Sequence, residues 1–377
     1  MCTFVFQKNF HALLNLLCFK NTTKTQHLKK VDYIIVGQGI AGTLLAWFLT
    51  QANKTFVIIE DGHKRCSTKI AAGIINPITG RRFVKSWRIE ELLPFAKKTY
   101  QQIEQETKLA LFKEFEIVRF FQTNAEGNNW LSKTSFEGYE AYLSTKTLTQ
   151  DLRPYIKDTG GYGIVNGAQV AVGTLINFYY EYYKNKGQLI EELVDYEQIK
   201  LTKDQVNYKE IEAQKIIFCE GYSASKNPWL QQLPFESAKG EAFLLRIPDF
   251  KTDYIIKKTQ FLVPLEEDLY WFGSNYEWND LTDEPTEVGR AYLLERIAEI
   301  LKVDYEIVEH VAAVRPVLKD RRPVIGLHPA QAEIGVFNGL GTKGTSIAPY
   351  WAVQYVQFLL GKSEVDAEVD FQRFFAN

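Results

Sequence analysis

Residues 31–42 read VDYIIVGQGIAG. Val31 to Val36 form a short apolar run rich in β-branched residues, the pattern of a strand buried on both faces. Gly37, Gly39 and Gly42 follow at once with G-x-G-x-x-G spacing. In that arrangement the first glycine permits a tight turn, the second lets backbone approach a pyrophosphate, and the third lets helix pack on strand. A helix is predicted from Ile40 to about Gln51, and its N-terminus offers unpaired N–H groups and partial positive charge to phosphates. TFVIIE, residues 55–60, predicts a second buried strand ending on Glu60. The dinucleotide fingerprint asks for an acidic residue about 20 positions after its glycines, and Glu60 meets that demand. A carboxylate there accepts hydrogen bonds from both ribose hydroxyls of an adenosine and disfavours a 2′-phosphate, which argues against NADP. A plain glycine turn beside a solvated Glu is the competing reading. The strand and helix on either side favour the dinucleotide.

The rest of the chain sets the scale. Its 377 residues are 46% hydrophobic and 14% aromatic, with a formal net charge of −2. That is enough for a two-lobed enzyme with a sizeable core, and too aromatic and evenly charged for a disordered chain. No apolar run reaches the roughly 18 residues of a membrane span, and the balanced charge lacks the basic excess of a dedicated nucleic-acid binder. A soluble, globular protein is expected. Cys2, Cys18, Cys66 and Cys219 are scattered without C-x-x-C spacing, so neither a disulfide framework nor a zinc site is predicted. A reducing, cytoplasmic compartment fits that usage, and no metal is expected from five histidines without H-E-x-x-H spacing. Residues 1–28 differ in character from the rest. With Met1 the single methionine, they are expected to be a disordered extension or the product of a start assigned upstream of Leu28.

Further along, residues 90–106 predict a helix, residues 112–121 a strand, and GTLINFYYEYYKNKG a helix stopped by Gly187. KIIFCEG is another buried strand meeting a glycine. EAFLLRI, QFLVP and LYWFGSNY predict antiparallel strands, and TEVGRAYLLERIAEIL a helix capped by Thr286. GVFNGLGTKGTSIAPYW gives strand, glycine loop and long helix. The fold class is therefore α/β: a Rossmann-type dinucleotide-binding domain assembled from discontinuous segments (31–80, 160–235 and 310–377), with an inserted, mainly antiparallel α+β substrate domain (81–159 and 236–309).

Four blocks carry a resemblance. VDYIIVGQGIAG with Glu60 is the first, and STKIAAGIINP, Ser67 to Pro77, the second. KIIFCEGYSAS is the third, and VRPVLKDRRPVIG with NGLGTKGTSIAP, spanning Val314 to Pro349, the fourth. Together they resemble the D-amino-acid-oxidase superfamily of FAD-dependent oxidoreductases, most of all its glycine oxidase and sarcosine oxidase branch. The resemblance covers Val31 to Gly361. It implies FAD, held by Gly37, Gln38, Gly39, Ile40, Ala41, Gly42 and Glu60, by Lys69, Ala71, Ala72 and Gly73, by Val194 and Gly221, and by Gly339, Gly341, Thr342, Lys343, Gly344 and Thr345. Ala71 to Gly73 carry so little side chain that backbone could lie against a flat ring, although a close-packed turn needs the same residues. The helix start near Gly344 and Thr345 could stabilise an anionic reduced ring.

The resemblance also places an arginine, Arg315, before proline to clamp a substrate carboxylate. An interdomain salt bridge is the alternative use of that residue. Phe261 stands where glycine oxidases carry an active-site tyrosine, and Tyr276 falls near another substrate-facing position. Asp320 reads as a turn acceptor and not as a base. No cysteine follows Cys219 to offer a C-terminal thioether, and His63 reads as a loop residue, so the FAD is expected to be noncovalent. The implied activity is hydride transfer from an amino acid or secondary amine carboxylate to the flavin, with dioxygen or an electron acceptor reoxidising it; a 2-hydroxy acid is the alternative substrate. GRRFVKSWR, residues 80–88, interleaves Arg81, Arg82, Lys85 and Arg88 with Phe83 and Trp87. A solvated helix face is one reading. The other is RNA recognition, since IINPITGRR is also similar to the oxidase half of the bifunctional enzyme that modifies tRNA wobble uridines, which acts on a carboxymethylaminomethyl group.

Overall fold

The structure, a computed structural model, describes residues 29–64, 66–157, 160–248 and 250–375. The extension expected over residues 1–28 lies outside the described residues.

The opening stretch folds as its pattern dictates. Strand β1 is Lys29–Val36, helix α1 Ile40–Gln51 and strand β2 Phe56–Glu60, with every residue of β2 buried. β1 runs parallel to β2 on one side and to Ile211–Phe218 on the other. Leu189–Glu191 extends the sheet beyond β2, also in parallel. On the far side the edge of Ile211–Phe218 is shared. Its first residues pair antiparallel with Gln205–Tyr208, and its last three pair parallel with Gln331–Asn338. Three separate chain stretches thus build one sheet, and Val36, Phe218 and Asn338 bring their glycine-bearing turns to the same edge. In an open parallel sheet that edge is where ligands bind. Behind it, α1 packs on the C-terminal helix Gly344–Leu359 through a core that includes Leu44, Leu45, Ala348, Trp351 and Tyr355.

The second sheet runs in the order Glu306–Arg315, Ala238–Arg246, Leu269–Gly273, Phe261–Pro264, Tyr254–Lys257, Phe112–Phe120, Tyr162–Val170 and Ile74–Ile75. It is antiparallel except where Tyr254–Lys257 lies parallel to Phe112–Phe120. The helix Glu287–Ala298 begins as its cap predicts, with the Thr286 hydroxyl accepting from the Gly289 amide at 3.0 Å.

Three stretches assigned wholly or in part to the dinucleotide half by sequence belong to this second sheet. Tyr162–Val170 pairs residue for residue with Phe112–Phe120, Glu306–Arg315, of which residues 310–315 were so assigned, pairs with Ala238–Arg246, and Ile74–Ile75 pairs with Gln169 and Ala168. The first is hard to read as a strand because Gly163, Asn166 and Gly167 interrupt it. Its glycines are there for packing: a Cβ on Gly163 would run into Trp130, and one on Gly167 into Ile117 and the Ile75 carbonyl. Among the described residues no helix is long and apolar enough to cross a membrane, and no group of three metal-ligating side chains converges.

Candidate active site

A cleft of about 430 Å³ opens where the two sheets meet. At its dinucleotide end the three glycines of the fingerprint do different work. Gly37 has φ +92°, and a Cβ there would lie 2.6 Å from the Cys219 carbonyl oxygen. A Cβ on Gly42 would run into the Gly37 carbonyl. The fold itself requires both. Gly39 is different, because its Cβ would meet only Thr68 Oγ1 at 3.4 Å and Cys66 Sγ at 3.6 Å. Its bare backbone lines the cleft with Ile40 and Ala41, which is what close approach of a ligand needs.

Glu60 also lines the cleft. Its Oε2 accepts from the Gln38 amide at 2.5 Å and its Oε1 from the His63 amide at 3.0 Å. Burial nevertheless pushes its carboxyl up to about 7, because two N–H groups do not replace a hydration shell. Gln38 is fully buried behind the turn, where its side-chain amide meets Thr43 Oγ1 at 2.8 Å and its Oε1 meets His63 Nε2 at 2.6 Å. Gln38 and Gly42 therefore shape the turn from behind and do not line the cleft. The His63 ring is engaged by Gln38, as a loop anchor is.

Val194 and Gly221 line the next part of the cleft. Gly221 has φ +56° and no protein atom within 4 Å of where its Cβ would stand, so it presents backbone to open space. Asn338 Nδ2 donates to the Gly221 carbonyl at 2.9 Å and ties two of the sheet's turns together. Ala71, Ala72 and Gly73 form a bare wall, with Gly73 at φ +72° pressed against the Val170 carbonyl. Opposite lie Gly341, Thr342, Lys343, Gly344 and Thr345. Among the described residues the amides of Gly344 and Thr345 donate to no backbone acceptor, and the Tyr100 hydroxyl fixes the helix start by donating to the Thr345 carbonyl at 2.8 Å. Burial, with Arg322 and Arg321 nearby, holds the Lys343 ammonium below its ordinary range.

Besides Gln38 and Gly42, two further residues expected here do not line the cleft. Gly339 sits behind it under Leu318, and Lys69 is exposed. On the short helix Ser67–Ile70 the inward position is taken by Thr68, whose hydroxyl accepts from the Ile40 amide at 3.2 Å, so its neighbour Lys69 faces solvent.

At the other end stand Arg315, Phe261 and Tyr276. Arg315 Nη1 donates to the Lys239 carbonyl at 3.1 Å, while Nη2 donates to Ser274 Oγ at 2.5 Å and the Asn275 carbonyl at 3.2 Å. Its guanidinium lies over the Tyr276 ring, 4.4 Å from the centroid. Among the described residues no carboxylate pairs with it, and burial holds its pKa below the ordinary arginine value. The interdomain salt bridge is thus not made; neutral acceptors fix the fork and leave its charge uncompensated. The sequence reading missed Gly240, Ala242, Trp271, Ser274 and Ala313, all of which line this end. The signal was available in the period of two that sets Gly240 with Ala242, and Ala313 with Arg315, on one face of the sheet.

The cations of residues 81–88 are arranged otherwise than expected. Ile78–Thr79 and Val84–Lys85 form a small hairpin with Arg81 and Arg82 in its turn, so no helix face exists there. Phe83 is buried against Trp130, and Trp87 stacks on Trp351. Lys85 pairs with Glu90 at 2.7 Å, and Arg88 with Glu91 at 2.6 Å and Asp366 at 2.7 Å. Both aromatic rings of this segment are thus engaged by other rings of the protein. Asp320 is a turn acceptor, taking the Arg322 amide and the Arg373 guanidinium at 3.0 Å each.

A family model described as FAD dependent oxidoreductase (DAO) matches residues 32–355. Among solved structures, glycine oxidase from Geobacillus kaustophilus is similar with a TM-score of 0.77 at 18% identity, over 92% of this chain and 99% of that one. Glycine oxidase from Bacillus cereus gives 0.74 at 18% identity, over 89% and 96%. Iminodiacetate oxidase from Chelativorans sp. gives 0.73 at 19% identity, over 89% and 97%. At these identities the likeness is one of fold.

Proposed function

The chain belongs to the DAO family of FAD-dependent oxidoreductases, and from that premise we propose that it oxidises the C–N bond of a small amino acid or secondary amine carboxylate to an imine. One observation carries the reading: Arg315 brings a positive charge, without a carboxylate partner among the described residues, to the end of the cleft away from Glu60. A held, planar guanidinium suits a carboxylate.

The remaining residues fit the cofactor. Glu60 and Val194 would hold the adenosine, while Gly39, Ala41 and Gly221 admit a pyrophosphate to bare backbone. Ala71 to Gly73 and the helix start at Gly344 would bracket the flavin ring. Bound FAD supplies the two-electron acceptor. His63 is turned toward Gln38, which favours noncovalent attachment. Phe261, Trp271, Ala242 and Ala313 wall the substrate end with apolar surface. With no carboxylate or imidazole among them, the amine enters unprotonated and positioning by Arg315 does the work. Dioxygen or an electron acceptor takes up the electrons afterwards, and scattered free thiols such as Cys66 and Cys219 favour the cytoplasm.

An anaerobic screen of FAD-loaded protein tests this. Amino acids or N-substituted glycines should bleach the flavin absorbance; bleaching by 2-hydroxy acids alone would overturn the reading.

A further inference from the structure

Beyond Arg315 the cleft does not end in polar surface. Tyr276, over which the Arg315 guanidinium lies, is 53% exposed, and Trp278 is 62% exposed. The two rings stack with centroids 5.9 Å apart and planes 22° from parallel. They are held in place by backbone. Glu277, between them in sequence, exchanges hydrogen bonds with Lys239 (N–H to carbonyl at 2.8 Å and 3.1 Å), so this segment continues the sheet past the substrate end. The Glu277 carboxylate accepts from the Trp278 and Asn279 amides at 2.8 Å and 2.6 Å, which fixes the turn behind the tryptophan. A cation, a tyrosine and a tryptophan therefore stand in a row from the cleft to the surface.

We propose that Tyr276 and Trp278 form a stacking subsite for an aromatic ring carried by the substrate, so that the preferred substrate is a ring-bearing amino acid and not glycine. The inference rests on the reading of Arg315 as the carboxylate clamp. Two large rings ordered side by side and left wet at a cleft mouth are surface that gains from being covered, and an aromatic partner gains further from the ring quadrupoles. The inner walls agree. Gly240, Ala242 and Ala313 are small, and Phe261 and Trp271 offer no hydroxyl to a compact polar substrate. A carboxylate on Arg315 would leave a ring attached a few bonds away within reach of Tyr276, whether that ring is on the α-carbon or on the nitrogen.

Anaerobic flavin reduction with four probes separates these cases: sarcosine, N-benzylglycine, D-phenylalanine and L-phenylalanine. At least one ring-bearing probe should reduce the flavin at a lower half-saturating concentration than sarcosine. The two phenylalanines and N-benzylglycine distinguish a ring on carbon from one on nitrogen. Trp278→Ala should lower the preference for that probe over sarcosine by about tenfold, and Trp278→Phe should restore most of it. Equal loss for both probes, or a wild-type preference for sarcosine, overturns the subsite while leaving the amine reading intact. Flavin reduction by none of the four overturns the subsite, and bleaching by 2-hydroxy acids alone overturns the amine reading on which it rests.

Discussion

Gly240 and Arg315 share one volume. A Cβ at position 240 would overlap the Arg315 guanidinium, so the glycine yields its side-chain space to the cation from the neighbouring strand. The register makes this arrangement, since Gly240 pairs with Ala313 and Ala238 with Arg315.

Gly240→Ala should therefore behave as a mild loss of Arg315. The expected outcome is a rise in KM for amine carboxylates of tenfold or more, with little change in FAD content. Arg315→Gln removes the charge itself and should cost about 100-fold in kcat/KM, in line with the loss of charge-assisted hydrogen bonds. Arg315→Lys should recover only part, because a point charge cannot supply a planar fork. Steady-state kinetics on matched FAD-loaded samples checks the order. Equal activity of Arg315→Gln and wild type would remove the clamp from the reaction.

The fingerprint glycines give a second contrast. Gly39→Ala meets only ordinary contacts within the protein, so the apoprotein should keep its melting temperature to within a few degrees while FAD affinity falls more than tenfold. Gly42→Ala drives a Cβ into the Gly37 carbonyl and should lower the melting temperature of the apoprotein as well. Thermal melts with and without FAD, together with flavin titration, separate the two.

That contrast also marks what could be read in advance. β1, α1 and β2 were legible because a buried parallel strand, a glycine turn and an apolar helix start directly after it are local signals. Arg315 was singled out by resemblance; nothing in its own sequence neighbourhood announces a cation that lines a cleft among neutral acceptors. The period of two sets Gly240 with Ala242 on one face, but that this face meets Ala313 and Arg315 depends on pairing with a strand many residues away, and the place of Trp271 depends on such pairing too. Lys69 was misjudged because a one-residue rotation on a single-turn helix exchanges cleft for solvent, and Thr68 holds the inward place. Phe83 and Trp87 looked available for stacking only because sequence does not show that Trp130 and Trp351 already cover them.

The buried Glu60 carboxyl predicts a pH dependence in the apoprotein. Its pKa stands near 7 in the folded chain against an ordinary glutamate value of about 4.3 when unfolded. Between those values the folded state holds more protons than the unfolded state, so stability falls as pH rises, by at most about 1.4 kcal/mol per pH unit. Below about pH 4 and above about pH 7 this contribution is flat. Glu60→Gln should remove that slope, measured by urea unfolding at pH 5, 6 and 7. An unchanged slope would show that other groups set it.

Behind the substrate sheet, Lys239 is fully buried and its ammonium reaches Asp280 at 2.7 Å and Thr282 Oγ1 at 3.1 Å, with Glu241 at 3.9 Å. This pair closes the loop that starts with Ser274 and Asn275, the groups that fix Arg315. The two partners differ in exposure, so their removal should differ in cost. Lys239→Met replaces a buried cation with an apolar chain of similar reach and leaves Asp280 with access to water. Asp280→Asn leaves the ammonium buried with Thr282 Oγ1 and, at 3.9 Å, Glu241 near it, the more costly way to break a buried pair. The melting temperature should therefore fall further for Asp280→Asn than for Lys239→Met, and the double variant should recover toward Lys239→Met alone. Both single variants should raise KM for amine carboxylates more than they lower kcat, because the loop positions Arg315 and does not touch the reacting atoms. The opposite order of melting temperatures would mean that the aspartate, and not the buried ammonium, is the group the fold must satisfy.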